Sequence, residues 1–225
     1  MAANNGIQEL PTDTGAGVGI VETYRNKARS RTEIALILVE TSVYDRNQGR
    51  HVLKWTLPGG KREAGDSIKK TARKELEEET ANLIRLSENE MDSNFAVRHT
   101  NPFNGEGFVA YFVHLLGPIM SSHFYTNLQT LQTNGASHDY LEAGRICRVY
   151  LSDMVAQGVS TTKGDFQATD ANGKSVLIEA RTKAVIREAL HAGFIPNLTP
   201  VKPNFNADFN RKNRGDLKHT ACYWL

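Results

Sequence analysis

Apolar positions along the chain fall into short blocks, and the rhythm inside each block predicts its element. Residues 34–39 form a continuous run rich in β-branched side chains and read as a buried strand, with a first strand expected at 18–24. A turn cluster at 45–49 leads into a returning strand at 51–56, which Pro58, Gly59 and Gly60 break. The period then changes. Ile68, Ala72, Leu76 and Leu83 repeat at helical spacing, so a helix capped by Asp66 or Ser67 is expected to run to about Leu83. Residues 95–99 and 107–116 form two strands around a turn at 101–105, and 145–151 forms another before a short helix or turn at 152–158. Segments 165–169 and 174–178 flank Asp170-Ala-Asn-Gly173, a hairpin signal because Asn-Gly accepts positive φ. A second helix is expected at 179–192, with Ala180, Ala184, Val185, Ala189 and Leu190 on one side and Gly193 as its stop.

Strands first, then a helix, more strands and a late helix indicate the α/β class, as a mixed sandwich in one domain. Residues 1–15 read as a loose lead-in, 119–138 as a polar insertion, and 196–225 as a polar tail with a basic patch at Arg211, Lys212, Arg214 and Lys218. The 225 residues, 40% of them apolar, suit one core with decorations. A formal charge of +2 excludes a global attraction to nucleic acid or anionic membranes, so any pull on an anionic substrate must be local. Cys147 and Cys222 offer neither a disulfide framework nor a metal-ligand spacing, which fits a reducing compartment. With no secretory pattern near Met1 and no apolar run of membrane length, a soluble cytoplasmic protein without a membrane partner is expected.

The chemistry concentrates on the first helix. Glu75, Glu78 and Glu79 stand at i, i+3 and i+4, so three carboxylates project from one edge. An acidic run of this kind is commonly a solvated face. Clustered like charges gain from a bound cation, however, and hard oxygen donors suit Mg²⁺ or Mn²⁺. The Pro58-Gly59-Gly60 turn leaves backbone open to a ligand, and the Gly59 carbonyl is a candidate to complete a metal shell.

Gly60, five residues, Asp66, seven residues, and then Lys74-Glu75-Leu76-Glu77-Glu78-Glu79-Thr80-Ala81 resembles the Nudix box. That pattern reads Gly, five residues, Glu, seven residues, Arg-Glu-apolar-x-Glu-Glu-x-Gly-apolar. Leu57, Pro58, Gly59, Glu63, Gly65, Ser67 and Ala72 also fit the habits around it. Asp66, Lys74 and Ala81-Asn82 depart from the pattern. The first two keep the charges that brace the loop against the helix, although lysine lacks the planar fork of arginine. The third requires a helix end closed without glycine.

The resemblance implies a Nudix-type α/β/α sandwich with a mixed sheet over residues 16–195. It implies a pyrophosphohydrolase that uses Mg²⁺ (or Mn²⁺) to cleave a small-molecule diphosphate, with a nucleoside diphosphate linked to a second moiety. Glu75, Glu78, Glu79 and Gly59 would serve the metal. Glu78 and Glu79 would also be catalytic with a general base from outside the box, for which Glu142 is preferred over Glu106 and Asp139. Arg25, Arg31 and Lys61 are candidates for substrate phosphates. Branch signatures for NADH, coenzyme A, ADP-ribose and dinucleoside-polyphosphate substrates are not matched. The alternatives are an RNA-cap or inositol-pyrophosphate hydrolase, or a ligand sensor without turnover. RNA is the less favoured partner, and a homodimer is plausible.

Overall fold

The computed structural model describes residues 7–26, 29–45, 48–92, 95–115, 121–161, 163–193 and 200–201. The long hairpin β1 (Asp13–Asn26) and β2 (Arg31–Asp45) is its spine, with Ile20 opposite Ile37. β3 (Arg50–Thr56) returns along the second half of β2, with Val39 opposite Thr56. β4 (Gly59–Lys61) then lies against the start of β1. β6 (Gly107–Leu115) runs parallel to β1 and carries β5 (Phe95–Thr100) antiparallel. β7 (Arg145–Tyr150) pairs with β2. The hairpin of β8 (Phe166–Thr169) and β9 (Ser175–Ile178) joins β3 where Trp55 meets Ile178. β10 (Pro200–Val201) lies parallel to the end of β6, and among the described residues the ten strands form one mixed sheet.

Helices cover both faces, which is why β2 is apolar without alternation. Leu36 and Leu38 point to a core filled by α4 (Leu151–Ala156) and α5 (Ala180–His191). Ile37 and Val39 point to the other core, filled by α1 (Ile68–Glu79), α2 (Glu88–Asp92) and α3 (Ser121–Thr133). The architecture is the expected α/β/α sandwich.

Four boundaries differ from the sequence reading. The lead-in is anchored from residue 7 onward: Glu9 accepts a hydrogen bond from Ile68 N (3.1 Å), and β1 begins at Asp13. Asp13 is buried under a two-pronged bond from Arg98 (2.7 and 2.8 Å), a pairing between positions 85 residues apart that local pattern does not carry. α1 ends at Glu79, four residues short of Leu83. Ala81 and Asn82 adopt left-handed φ values of 51° and 60°, and Asn82 N closes the helix on Glu77 O (2.7 Å). The insertion contains α3, whose Phe124 is fully buried and whose Asn127 donates to Ala81 O (3.3 Å). Of the basic tail, only the two residues of β10 belong to the described part of the chain.

Candidate functional site

Ser67 starts α1, its hydroxyl accepting from Lys70 N (3.1 Å), and Ile68, Ala72 and Leu76 fix the helix against the sheet. That packing turns Glu79 and Glu75 toward Gly59 and Gly60 of β4 and leaves Glu78 among the charges of Lys74, Asp139, Glu63 and Glu142. Gly59 N donates to Glu79 Oε2 (2.7 Å), and the Glu75 carboxylate occupies the space that a Cβ on Gly60 would need. Gly59 in turn lies against the backbone of Ala16 and Gly17, so glycine is required at both crossings by close approach.

The electrostatics are unusual for a helix surface. Glu79 is only 5% exposed, and burial pushes its carboxyl up to about 8, with Glu75 and Glu142 adding to the rise. Burial also lifts Glu75 to about 7, helped by Glu78 and Glu142. Glu78 is raised by burial, and Asp139, Glu63 and Glu142 add to this against the opposing pull of Lys74. Glu142 follows a 3-10 turn at His138–Leu141 and precedes β7, so the chain after the insertion brings a fourth acid to the helix. Ligating atoms of His138, Asp139 and Glu142 lie within 4.8 Å of one another at the exposed rim.

Few cations oppose this charge. Lys74 binds Glu63 (2.6 Å), and that bond holds its ammonium above its ordinary value. The departure from arginine therefore still ties the loop to the helix, whereas Asp66 pairs with Lys70 instead. Arg181, at the start of α5, lies over the Phe108 ring (4.3 Å to the centroid) and lowers the Glu79 carboxyl against its neighbours. The sequence reading did not single out Arg181, because its position beside Glu79 depends on packing between segments about a hundred residues apart.

A family model for the NUDIX domain matches residues 13–140. The chain belongs to the NUDIX domain family. A search of curated proteins gave no significant match. Among solved structures, the MutT/nudix family protein of Enterococcus faecalis is 16% identical with a TM-score of 0.45, over 82% of this chain and 64% of that one. This Nudix chain thus spans just under two thirds of that protein. The mutT/nudix family protein of Listeria innocua shares 13% identity at a TM-score of 0.44, over 84% of this chain and 98% of that one. RenU, a Nudix hydrolase from M. Smegmatis, shares 14% identity at a TM-score of 0.43, over 86% and 96%.

The other sequence candidates of this Nudix domain are scattered. Lys61 ends β4, exposed and next to the Gly59–Gly60 pair. Arg31 pairs with Glu33 (3.0 Å) at the tip of the β1–β2 hairpin. Arg25 is placed by backbone register opposite Thr32 in the same hairpin, and its side chain lies outside the described residues. Asn26, opposite Arg31, is nine residues beyond Gly17, about 30 Å along an extended strand. The structure therefore places Arg31, and the backbone of Arg25, at the far end of the hairpin from the Gly59–Gly60 pair. Glu106 sits in the β5–β6 turn, where Asn104 Nδ2 donates to it (2.8 Å).

Proposed function

We propose that this Nudix domain is a metal-dependent pyrophosphohydrolase that cleaves the diphosphate linkage of a nucleoside diphosphate joined to a second moiety. The observation that carries this reading is the pile-up of Glu75, Glu78, Glu79 and Glu142, opposed by Lys74 and Arg181 and with two carboxyls pushed to about 7 and 8. Burying negative charge on negative charge costs a fold several kcal/mol unless a cation joins it, at roughly the scale of other buried ions.

The donor set fits Mg²⁺ or Mn²⁺: all oxygen, all hard, and held on one rigid helix beside open backbone. Glu75 and Glu79 would hold the metal, with Glu78 as a ligand directly or through water and the Gly59 backbone at the edge. When bound, such ions neutralise a diphosphate and make water more acidic. The chain supplies the rest. Gly59 and Gly60 keep side chains out of the path of the phosphates, and Gly59 N–H fixes the Glu79 carboxylate. Glu142 reaches the cluster from a separate segment and takes the proton of the attacking water. Lys74 holds Glu63 and with it the loop, while Lys61 and Arg181 offer positive charge to the phosphates.

The test is a phosphate-release screen with Mg²⁺, with Mn²⁺ and with EDTA. Its panel comprises nucleoside triphosphates, nucleotide sugars, dinucleoside polyphosphates, inositol pyrophosphates and capped RNA. Metal-dependent release from a nucleotide-linked diphosphate, lost by at least about tenfold in Glu142→Gln, is the expected result. Silence from folded protein across the panel would overturn the reading in favour of a sensor.

A further inference from the structure

Residues 62–67 join β4 to α1, so the way they are held governs where the helix carboxylates stand against the strand. α1 meets the β4 glycines near its C-terminal end, with Glu75 at Gly60 and Glu79 at Gly59. Its N-terminal end is Ile68. At 1.5 Å per residue, Ile68 lies about 10 Å along the axis from Glu75 and about 17 Å from Glu79. A hydrogen-bonded helix is stiff over that length, so a shift at Ile68 reaches both carboxylates.

One guanidinium holds that joint. Arg62 is the first residue of the loop, and its Nε donates to Asp66 O near the loop's other end (2.6 Å). Its Nη1 reaches Asp13 O at the start of β1 (3.5 Å), and its Nη2 pairs with the Glu9 carboxylate. The second oxygen of Glu9 accepts from Ile68 N (3.1 Å), at the first residue of α1. The two ends of the loop, β1 and the helix start therefore meet on one ion pair. The planar fork of arginine, with donors spread around it, can serve several acceptors at once in a way that lysine cannot.

Two features set Glu9 apart from an ordinary surface acid. The first turn of α1, Ile68-Lys69-Lys70-Thr71, carries two lysines and no acid, which puts cations at the positive end of the helix dipole. Glu9 brings an anion and an acceptor to that end from outside the helix. Asp66, the acid at the position that the box pattern uses for bracing, spends its carboxylate on Lys70. Its backbone carbonyl, held by Arg62, ties the loop instead. The lead-in is itself fixed by polar bonds: Arg98 Nη2 donates to Gln8 O, and Leu10 N donates to Asp13 Oδ2 (2.7 Å). Apolar packing adds little here, since a cavity of about 270 Å³ separates Ile7 and Glu9 from Ile68 and Tyr111. Charge and hydrogen bonding, rather than burial, hold the strap to the helix.

We propose that Glu9 and Arg62 are positioning residues of the carboxylate site, and that their ion pair sets α1 where Glu75 and Glu79 face Gly59 and Gly60. The consequence for metal binding rests on the hydrolase reading above. Neither residue touches the reacting phosphates in this scheme. Glu9 acts through Arg62 and the Ile68 N–H, and Arg62 acts through the loop.

The test compares the full chain with Glu9→Ala, Arg62→Ala and the double variant. In EDTA, amide hydrogen exchange at Gly59, whose N–H donates to Glu79, is expected to quicken at least about fivefold in each single variant. Ala171 N–H donates to Arg148 O in the β8–β9 hairpin, and its exchange should stay within about twofold of native. That reference separates a local displacement from a general loss of stability. Affinity for Mn²⁺ alone, read by calorimetric titration, is expected to weaken about tenfold in each single variant. The double variant should lose no more than about twofold beyond the worse single, because both residues act through one joint. Unchanged exchange at Gly59, equal quickening at Ala171, or fully additive losses in the double variant would overturn the proposal. The two readings fail separately. Quickened exchange at Gly59 in a chain that binds no Mn²⁺ and is silent in the phosphate-release screen sinks the hydrolase alone. Metal-dependent hydrolysis with native Gly59 exchange and native Mn²⁺ affinity in both single variants sinks the positioning pair alone.

Discussion

Replacing Glu79 by glutamine changes one charge and almost no volume, so its effect isolates the electrostatics of the carboxylate cluster. Glu79 is 5% exposed, and its carboxyl is displaced from an ordinary value near 4.5 to about 8 by burial and by Glu75 and Glu142. Each tenfold gain in proton affinity corresponds to about 1.4 kcal/mol, so holding Glu79 ionised costs the fold at most about 5 kcal/mol above pH 8. Relaxation around the charge reduces the expected figure to about 1–3 kcal/mol. Glutamine keeps an oxygen to accept the Gly59 N–H, so the bond across α1 and β4 survives. In EDTA at pH 8.5, Glu79→Gln is therefore expected to melt about 3–10 °C above the native protein, at the usual scaling for a domain of this size. In Mg²⁺ the order changes. The native protein gains stability from the ion, the variant gains little, and turnover falls on the order of 10²-fold or more. Thermal melts of both proteins with and without Mg²⁺, alongside phosphate release, make the measurement. A variant less stable than the native protein in EDTA would refute the idea that the buried charge is costly. Turnover within about threefold of native would remove Glu79 from the metal site.

Three further outcomes follow from other parts of the structure. Because Glu75 and Glu79 hold protons up to about 7 and 8 in the fold but only to about 4.5 when unfolded, folding takes up protons between these values. The metal-free protein should thus be more stable at pH 5.5 than at pH 8.5 by on the order of 1–3 kcal/mol, and a denaturant series at the two pH values, repeated in Mg²⁺, should show the slope diminish when the ion takes the place of the protons. Lys74→Ala releases Glu63 and is expected to lower turnover while changing stability by less than about 1 kcal/mol, because the pair is partly exposed. Lys74→Arg should restore the rate, and failure to do so would separate the lysine from loop bracing. Ala81→Gly relieves a left-handed residue at φ 51° and is expected to raise stability by about 0.5–1 kcal/mol, read as a shift in urea midpoint. A drop in midpoint would show that the Ala81 methyl group, buried in the core, contributes more than the backbone strain costs.

The sequence by itself determined what depends on neighbours along the chain. Helical spacing placed Glu75, Glu78 and Glu79 on one edge of α1, because residues three and four apart share a face whatever surrounds them. The apolar run of β2 announced a strand covered on both sides, and Asn172-Gly173 announced the β8–β9 hairpin. Gly59 and Gly60 read as open backbone, and the structure adds the reason: strand backbone and the Glu75 carboxylate leave no room for a side chain. Even the helix end was legible as a problem, since no glycine follows Glu79. Its solution was not, because left-handed Ala81 and Asn82 are held partly by Asn127 from α3.

Only the tertiary structure decided which distant groups meet. Arg25, Arg31 and Lys61 were equally eligible by charge, yet a long hairpin carries Arg31 and the Arg25 backbone to its tip while β4 leaves Lys61 beside the glycines. Glu142 and Arg181 act on Glu79 because β7 pairs with β2, and α5 packs on the opposite face of the sheet with its first turn reaching Phe108. The ion pair of Arg145 with Glu40 and its contact with the Trp55 ring likewise depend on three strands, β2, β3 and β7, coming into register. Such meetings depend on long-range packing rather than on period or propensity. A single chain's local pattern therefore marks the helix that bears the carboxylates but cannot mark what closes around it.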